Sequence, residues 1–202
     1  LTSASADDKL RNAVGKTSLY VERLNNLIGE LLDVSRIQSG SLELHKQPFD
    51  FDQMLSDAVD SIRQATKSHE IIVTGATGSQ LDGDESHITQ VITNLLSNAV
   101  KYSPDHKQVR LHAAVVGEYI KVSVTDKGVG ISIDEHKKIF DRFYRVKNIQ
   151  QHFPGMGIGL YVCAEIIKNH GGTLWVESEP GQGATFSFTL PLTNTEGAAN
   201  AG

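Results

Sequence analysis

The apolar positions of this chain change period along its length. Between 8 and 39 they follow heptads: Val14, Val21 and Ile28 in one register, Leu10, Leu24 and Leu31 in a second. Tyr20, Leu27 and Val34 add a third, so the stripe is broader than a two-stranded coil uses and fits a helical bundle. Two outcomes would bury it, packing against the chain's own second half or self-association, and the pattern favours the latter. Ser39-Gly40 supplies the stop.

Beyond Gly40 the periods are shorter and alternate. Residues 49–51 read as a short strand, 52–66 as an amphipathic helix opened by an aspartate cap, and 70–74 as a β-branched strand. Asp84 is the expected cap of a long helix that Ser103-Pro104 closes. Residues 109–116 and 119–125 flank Gly117-Glu118 as a hairpin. A helix over 157–170 stops at Gly171-Gly172, and strands over 173–177 and 184–190 surround Pro180-Gly181-Gln182-Gly183. Helices layered on one face of a mixed sheet, an α+β two-layer sandwich, would accommodate this order.

Composition narrows the function classes. With 202 residues and 39% hydrophobic content the chain can bury a core of its own. A net charge of −5 without a basic run argues against nucleic acid and anionic membranes as partners. No apolar stretch of about 20 residues is present to span a bilayer, and no secretory signal is present. The single cysteine, Cys163, lies in an apolar helical pattern and reads as a core residue in a reducing, cytoplasmic setting. The first residue is Leu1, as expected of a piece of a longer protein. Residues 193–202 are small and polar and read as a disordered tail.

Four segments carry candidate chemistry. In the helix after Asp84, Gln90, Asn94, Asn98 and Lys101 are spaced by four, four and three, which stacks them beside the apolar face of Ile88, Val91, Ile92, Leu95, Leu96 and Ala99. Carboxamides and an ammonium on such a boundary suit a metal and phosphates, or simply water. Thr125-Asp126-Lys127-Gly128-Val129-Gly130-Ile131 follows a strand. It reads as a turn, or as a carboxylate for an exocyclic amine beside glycines that admit a flat ring. Ile139 to Arg145 is an aromatic and arginine stretch. Pro154-Gly155-Met156-Gly157-Ile158-Gly159-Leu160 leads free backbone amides into a helix, a seat for phosphate oxygens.

In this order the four segments resemble the N box, first glycine box, F box and second glycine box of the catalytic ATP-binding domain of sensor histidine kinases. That domain belongs to the superfamily shared with gyrase, heat-shock chaperones and mismatch-repair ATPases. The likeness runs from about Phe49 to Leu192, and Leu31-Leu32-Asp33-Val34-Ser35-Arg36-Ile37 is similar to the end of the family's second dimerisation helix. It implies a Bergerat-type fold over 47–192 after a dimerisation helix over 1–46. It also implies ATP and Mg2+ as cofactors, a response-regulator receiver domain as partner, and self-association through the N-terminal helix.

The same resemblance assigns residues. Asn98 becomes the Mg2+ ligand and Asn94 its companion; Lys101 meets phosphate, and Tyr102 packs on the adenine or ribose. Asp126 reads the adenine amine, walled by Gly128, Gly130 and Ile131, with Thr185 supporting it through a water. Gly155, Gly157, Gly159 and Leu160 cradle phosphates, Arg145 faces the γ-phosphate, and 146–154 form a lid. The implied activity is donation of the ATP γ-phosphoryl to a histidine, then relay to a regulator aspartate. An ATP-hydrolysing clamp and a non-catalytic nucleotide-binding module are the alternatives.

Some positions depart from the family pattern. The phosphoacceptor box is missing: His69-Glu70-Ile71 begins like one, but Ile72-Val73 replaces its Arg-Thr, and the other histidines lack its flank. No self-phosphorylation is therefore expected. Met156 stands where the family has serine or threonine. Gly15-Lys16-Thr17 imitates a P-loop end, but Leu10 occupies the leading glycine position and no strand precedes it. The Gly155–Gly159 cluster lacks the spacing and the preceding strand of a dinucleotide fingerprint.

Overall fold

The structure is a computed structural model that describes residues 17, 21, 28–29, 31–40, 42–146, 153 and 155–192. The chain divides into two compact units, Leu1–Leu42 and Glu43–Gly202. In the first, residues 31–38 are helical and end where expected: Ser39 N–H donates to Ser35 O at 3.1 Å, and Gly40 turns left-handed at φ 66°. Val21, Ile28, Leu31 and Leu32 are exposed. Most of the heptad pattern over 8–39, and the tail at 193–202, lie outside the described residues.

The second unit contains the expected α+β layering. Its elements are β1 (Gln47–Asp50), α1 (Phe51–Ala65), β2 (Glu70–Thr74), β3 (Gln80–Gly83), α2 (Glu85–Tyr102), β4 (Gln108–Val116), β5 (Tyr119–Thr125), α3 (Gly159–Asn169), β6 (Thr173–Ser178) and β7 (Ala184–Pro191). Two short 3-10 turns, Ile133–Glu135 and Lys138–Phe140, lie between β5 and α3. Five strands form one mixed sheet in the order β2-β4-β5-β7-β6, parallel only between β2 and β4. β1 and β3 form a separate antiparallel pair, with Phe49 opposite Leu81.

Strand alternation separates the two faces of the sheet. Leu111, Ala113, Ile120, Val122, Val124, Phe186 and Phe188 turn inward and are buried. They meet the apolar stripes of α2 (Ile88, Val91, Ile92, Leu95, Leu96, Ala99) and α3 (Val162, Cys163, Ile166, Ile167). Cys163 is thus a core thiol. The other face is polar: Thr125 and Thr185 hydroxyls pair at 3.0 Å, Ser123 and Ser187 at 2.9 Å, and Lys121 lies over Trp175 at 5.2 Å.

Two helix boundaries differ from those expected, and one strand is additional. The cap of α1 is Asp50, which accepts Gln53 N–H at 2.9 Å, so the helix starts at Phe51 and not at Asp52. Asp52 instead accepts from Thr77 N–H, the Thr77 hydroxyl and Gly78 N–H, pinning the loop before β3. The strand β3 was not foreseen; it contains only Gln80-Leu81-Asp82-Gly83, and its pairing with β1 is what stabilises it. The last helix begins at Gly159, because Gly157 is left-handed at φ 74°.

One polar knot fixes both helices of the future site. Asp84 caps α2, accepting His87 N–H at 3.1 Å and the Ser86 hydroxyl at 2.7 Å, and it also accepts His45 N–H at 2.9 Å. Burial opposes its charge, but the bonds from Ser86, His45 and His87 win and hold its carboxyl well below the usual range. Its own N–H donates to Nε2 of His170, the residue that ends α3, at 3.0 Å, while His170 Nδ1 lies 2.8 Å from Ile166 O. Accepting at Nε2 requires a neutral ring that donates through Nδ1.

Burial accordingly lowers the His170 pKa from its ordinary 6.5. A base with a depressed folded pKa contributes stability that is complete above the unfolded value and is lost as pH falls. Thermal melts should therefore show stability dropping as pH is lowered from 7.5 towards 5.5. The variant His170→Gln, which can donate and accept but not titrate, should lose part of that slope.

Candidate functional site

The helix α2 carries the polar row, and its capped start sets the rotation of every residue on it. Asn98 Nδ2 donates to Asn94 Oδ1 at 2.9 Å, one turn apart, which leaves Asn98 Oδ1 uncommitted among the described residues. The first residue of α3, Gly159, packs on Asn94: a Cβ there would lie 2.4 Å from Asn94 Nδ2. The second glycine box therefore reaches the asparagine pair. Leu160 follows in the first turn of α3. At the other end of α2, Lys101 Nζ lies 4.8 Å from the Tyr102 ring centroid and would be 3.2 Å from a Cβ on Gly155.

The loop after β5 closes against the last turn of the same helix. Val129 N–H donates to Tyr102 O at 3.2 Å, and a Cβ on Gly128 would sit 2.1 Å from that oxygen. Only glycine permits this approach. Asp126 is 6% exposed; its N–H donates to Ala184 O at 2.9 Å and its Oδ1 accepts Gly128 N–H at 2.7 Å. Burial pushes the Asp126 carboxyl above its ordinary 3.8, partly offset by the backbone of Gly128 and Ala184. One N–H does not exhaust the acceptor sites of a carboxylate, so Asp126 can take a further donor.

Residues unassigned by the sequence reading brace this loop. Gly130 is left-handed at φ 68° and pressed on Glu179 O; Gly181 N–H donates to Val129 O at 2.8 Å. Ile131 N–H donates to the Ser178 hydroxyl at 2.9 Å. The Pro-Gly-x-Gly turn at 180–183 was legible only as a turn, yet it backs the wall beside Asp126. Between the glycine boxes, Phe143 N–H donates to Gly157 O at 2.9 Å, and Arg145 Nη2 donates to Phe153 O. Phe153 meets Tyr102 edge-on, with ring centroids 5.0 Å apart. The rest of the predicted lid, 147–152 and Pro154, lies outside the described residues.

Thr185 lies opposite Thr125, the residue before Asp126. It lies on β7 between inward-facing Ala184 and Phe186, so alternation turns it to the outer face, where its hydroxyl pairs with Thr125. It makes no direct hydrogen bond to Asp126 among the described residues, as a contact expected to run through a water does not require. His69 is occupied too, with Nδ1 2.8 Å from the Ser68 hydroxyl and Nε2 3.0 Å from Ser103 O. No group of three His, Cys, Asp or Glu side chains is poised for a metal among the described residues, and no described helix is long and apolar enough to cross a membrane.

The family signature described as histidine kinase-, DNA gyrase B- and HSP90-like ATPase matches residues 83–194, more than half of the chain. The chain belongs to this ATPase family. It is homologous to sensor histidine kinases. The sensor-like histidine kinase SenX3 of Mycolicibacterium smegmatis is 34% identical over 194 residues, 95% of this chain and 50% of the relative. The sensor histidine kinase WalK of Bacillus subtilis is 33% identical over 180 residues, 87% of this chain and 30% of the relative. The chain thus spans about half or less of these curated relatives. The mycobacterial sensor kinase MprB matches in structure with a TM-score of 0.65 at 28% identity, over 73% of this chain and 97% of its own. Full-length ShkA, solved with AMPPNP, matches with a TM-score of 0.74 at 27% identity, over 90% of this chain and 38% of its own.

The close glycine approaches at the two ends of α2 differ in what they press on. Gly128→Ala drives a Cβ into the Tyr102 carbonyl and should destabilise the domain by about 1–3 kcal/mol. Gly159→Ala meets only the Asn94 side chain, which can turn away, and should cost less stability while disturbing the asparagine pair. Urea unfolding of both variants tests the order.

Proposed function

We propose that this chain is the nucleotide-binding, phosphoryl-donating part of a sensor histidine kinase. The observation that carries the reading is the convergence on α2 of a buried carboxylate at one end and a glycine-led helix start at the Asn94–Asn98 pair. That arrangement offers a base-recognising group and a phosphate seat joined by one rigid element. ShkA, which resembles this chain, was solved with AMPPNP, and this supports the same ligand class here.

In this reading Asp126 accepts the adenine amino group while Gly128, Gly130 and Ile131 admit the ring, and Tyr102 packs on the base or ribose. Gly155, Gly157, Gly159 and Leu160 present backbone to the phosphates, with Lys101 and Arg145 balancing their charge. The donor set fits Mg2+, because Asn98 Oδ1 is a hard oxygen left uncommitted by the carboxamide pair and Asn94 steadies it. Bound there, the ion would neutralise phosphate charge. The protein's own work is then positioning. A histidine nitrogen attacks the γ-phosphorus, the bond to the bridging oxygen breaks, and ADP leaves with that electron pair.

The acceptor histidine would come from a phosphoacceptor box outside these 202 residues, with a receiver-domain aspartate next in the relay. A hydrolytic clamp is disfavoured because an asparagine at 94 cannot serve as general base for water. The exposed Val21, Ile28, Leu31 and Leu32 support self-association through the N-terminal helix.

Calorimetry should find Mg-ADP binding to this chain, weakened about tenfold or more by Asp126→Asn through loss of a charge-assisted bond. Labelled γ-phosphate should transfer to a separately supplied acceptor-helix protein and not to His69 or any other histidine here. Equal affinity of the two proteins, or acid-labile phosphate on this chain, would overturn the respective assignment. In light scattering the 202-residue chain should grow heavier with concentration, and a chain starting at Gln47 should not.

A further inference from the structure

Phe153 falls within the expected lid over 146–154 without a contact of its own assigned there, yet its ring lies against Tyr102. Its ring meets Tyr102 edge-on at 5.0 Å, both residues are half-buried, and Lys101 Nζ lies over the Tyr102 ring at 4.8 Å. The end of the pocket to which this pair belongs follows from the backbone. Tyr102 O accepts Val129 N–H and touches Gly128, whose N–H is held by Asp126. Tyr102 is therefore anchored at the carboxylate end, while its neighbour Lys101 extends towards Gly155. The Phe153 carbonyl is fixed by Arg145, which limits the positions open to the ring.

We propose that Phe153 is a further base-binding residue, forming with Tyr102 an aromatic corner that packs on the flat ring of a purine nucleotide whose amino group Asp126 accepts. The inference rests on the nucleotide reading of this pocket and adds a contact to it. Two aromatic planes at 64° to each other give a base one face to stack on and one edge to abut, which a lone tyrosine does not. Stacking of this kind tolerates any base, so Phe153 adds affinity while Asp126 supplies the choice.

The test measures Mg-ADP affinity of the whole chain and of Phe153→Ala, Phe153→Leu and Phe153→Trp, each with its melting temperature recorded. Ala and Leu should both weaken ADP about tenfold. Trp should retain affinity, and its added indole emission should change on ADP binding, measured against the parent protein, which carries Trp175 alone. Wild-type affinity in the Leu variant would reduce Phe153 to apolar packing and overturn the proposal. An unchanged Trp emission, or tighter binding by the Ala variant, would overturn it as well. If the parent chain binds no ADP at all, the nucleotide reading fails and this inference fails with it. ADP binding that is insensitive to Phe153 removes the inference alone.

Discussion

The carbonyl oxygen of Tyr102 joins the two halves of the site. It terminates α2, the helix that carries the asparagine pair, and it receives the Val129 N–H from the loop that carries Asp126. The approach is close enough that Gly128 can bear no side chain. A backbone-to-backbone bond of this kind has no rotamer freedom, so the separation between the carboxylate and the carboxamides is set by the fold and does not depend on side-chain choice. Preorganisation of this sort is what a reaction driven by positioning requires.

That contact in turn depends on how α2 is held at its far end. The Asp84 knot fixes the start of the helix against β3 and against His170 at the close of α3. Because the second glycine box opens α3, the same knot orients that glycine-led helix start from eleven residues away along the helix. The buried, neutral imidazole serves as a structural joint, with donor and acceptor both engaged. The cost of such a joint is sensitivity to acid, since a second proton on His170 would remove the acceptor that Asp84 N–H needs.

Much of this was legible in the residues because the strongest signals are local. The Asp84 cap, the stripe from Ile88 to Ala99 and the Gly117-Glu118 hairpin specify their elements without reference to partners. The asparagine row and the two glycine boxes marked the segments that meet along α2. What escaped depends on distant chain. β3 exists through pairing with β1, and Asp52 is drawn to Thr77 when Asp50 is the cap. Phe153 was one apolar residue in a polar loop until its ring was placed on Tyr102.

The single parallel pairing, β2 with β4, makes a helix part of the sheet's own connectivity. Parallel neighbours cannot be joined by a tight turn, and the crossover between them here is β3 together with α2 itself. The helix bearing Asn94, Asn98 and Lys101 is therefore the connection that the chain must traverse before the sheet can complete its β2 edge. Loop-closure entropy for that excursion is met only when the helix docks. The polar row and the β2 edge of the sheet therefore share one connection, and a change that undocks this helix loosens both.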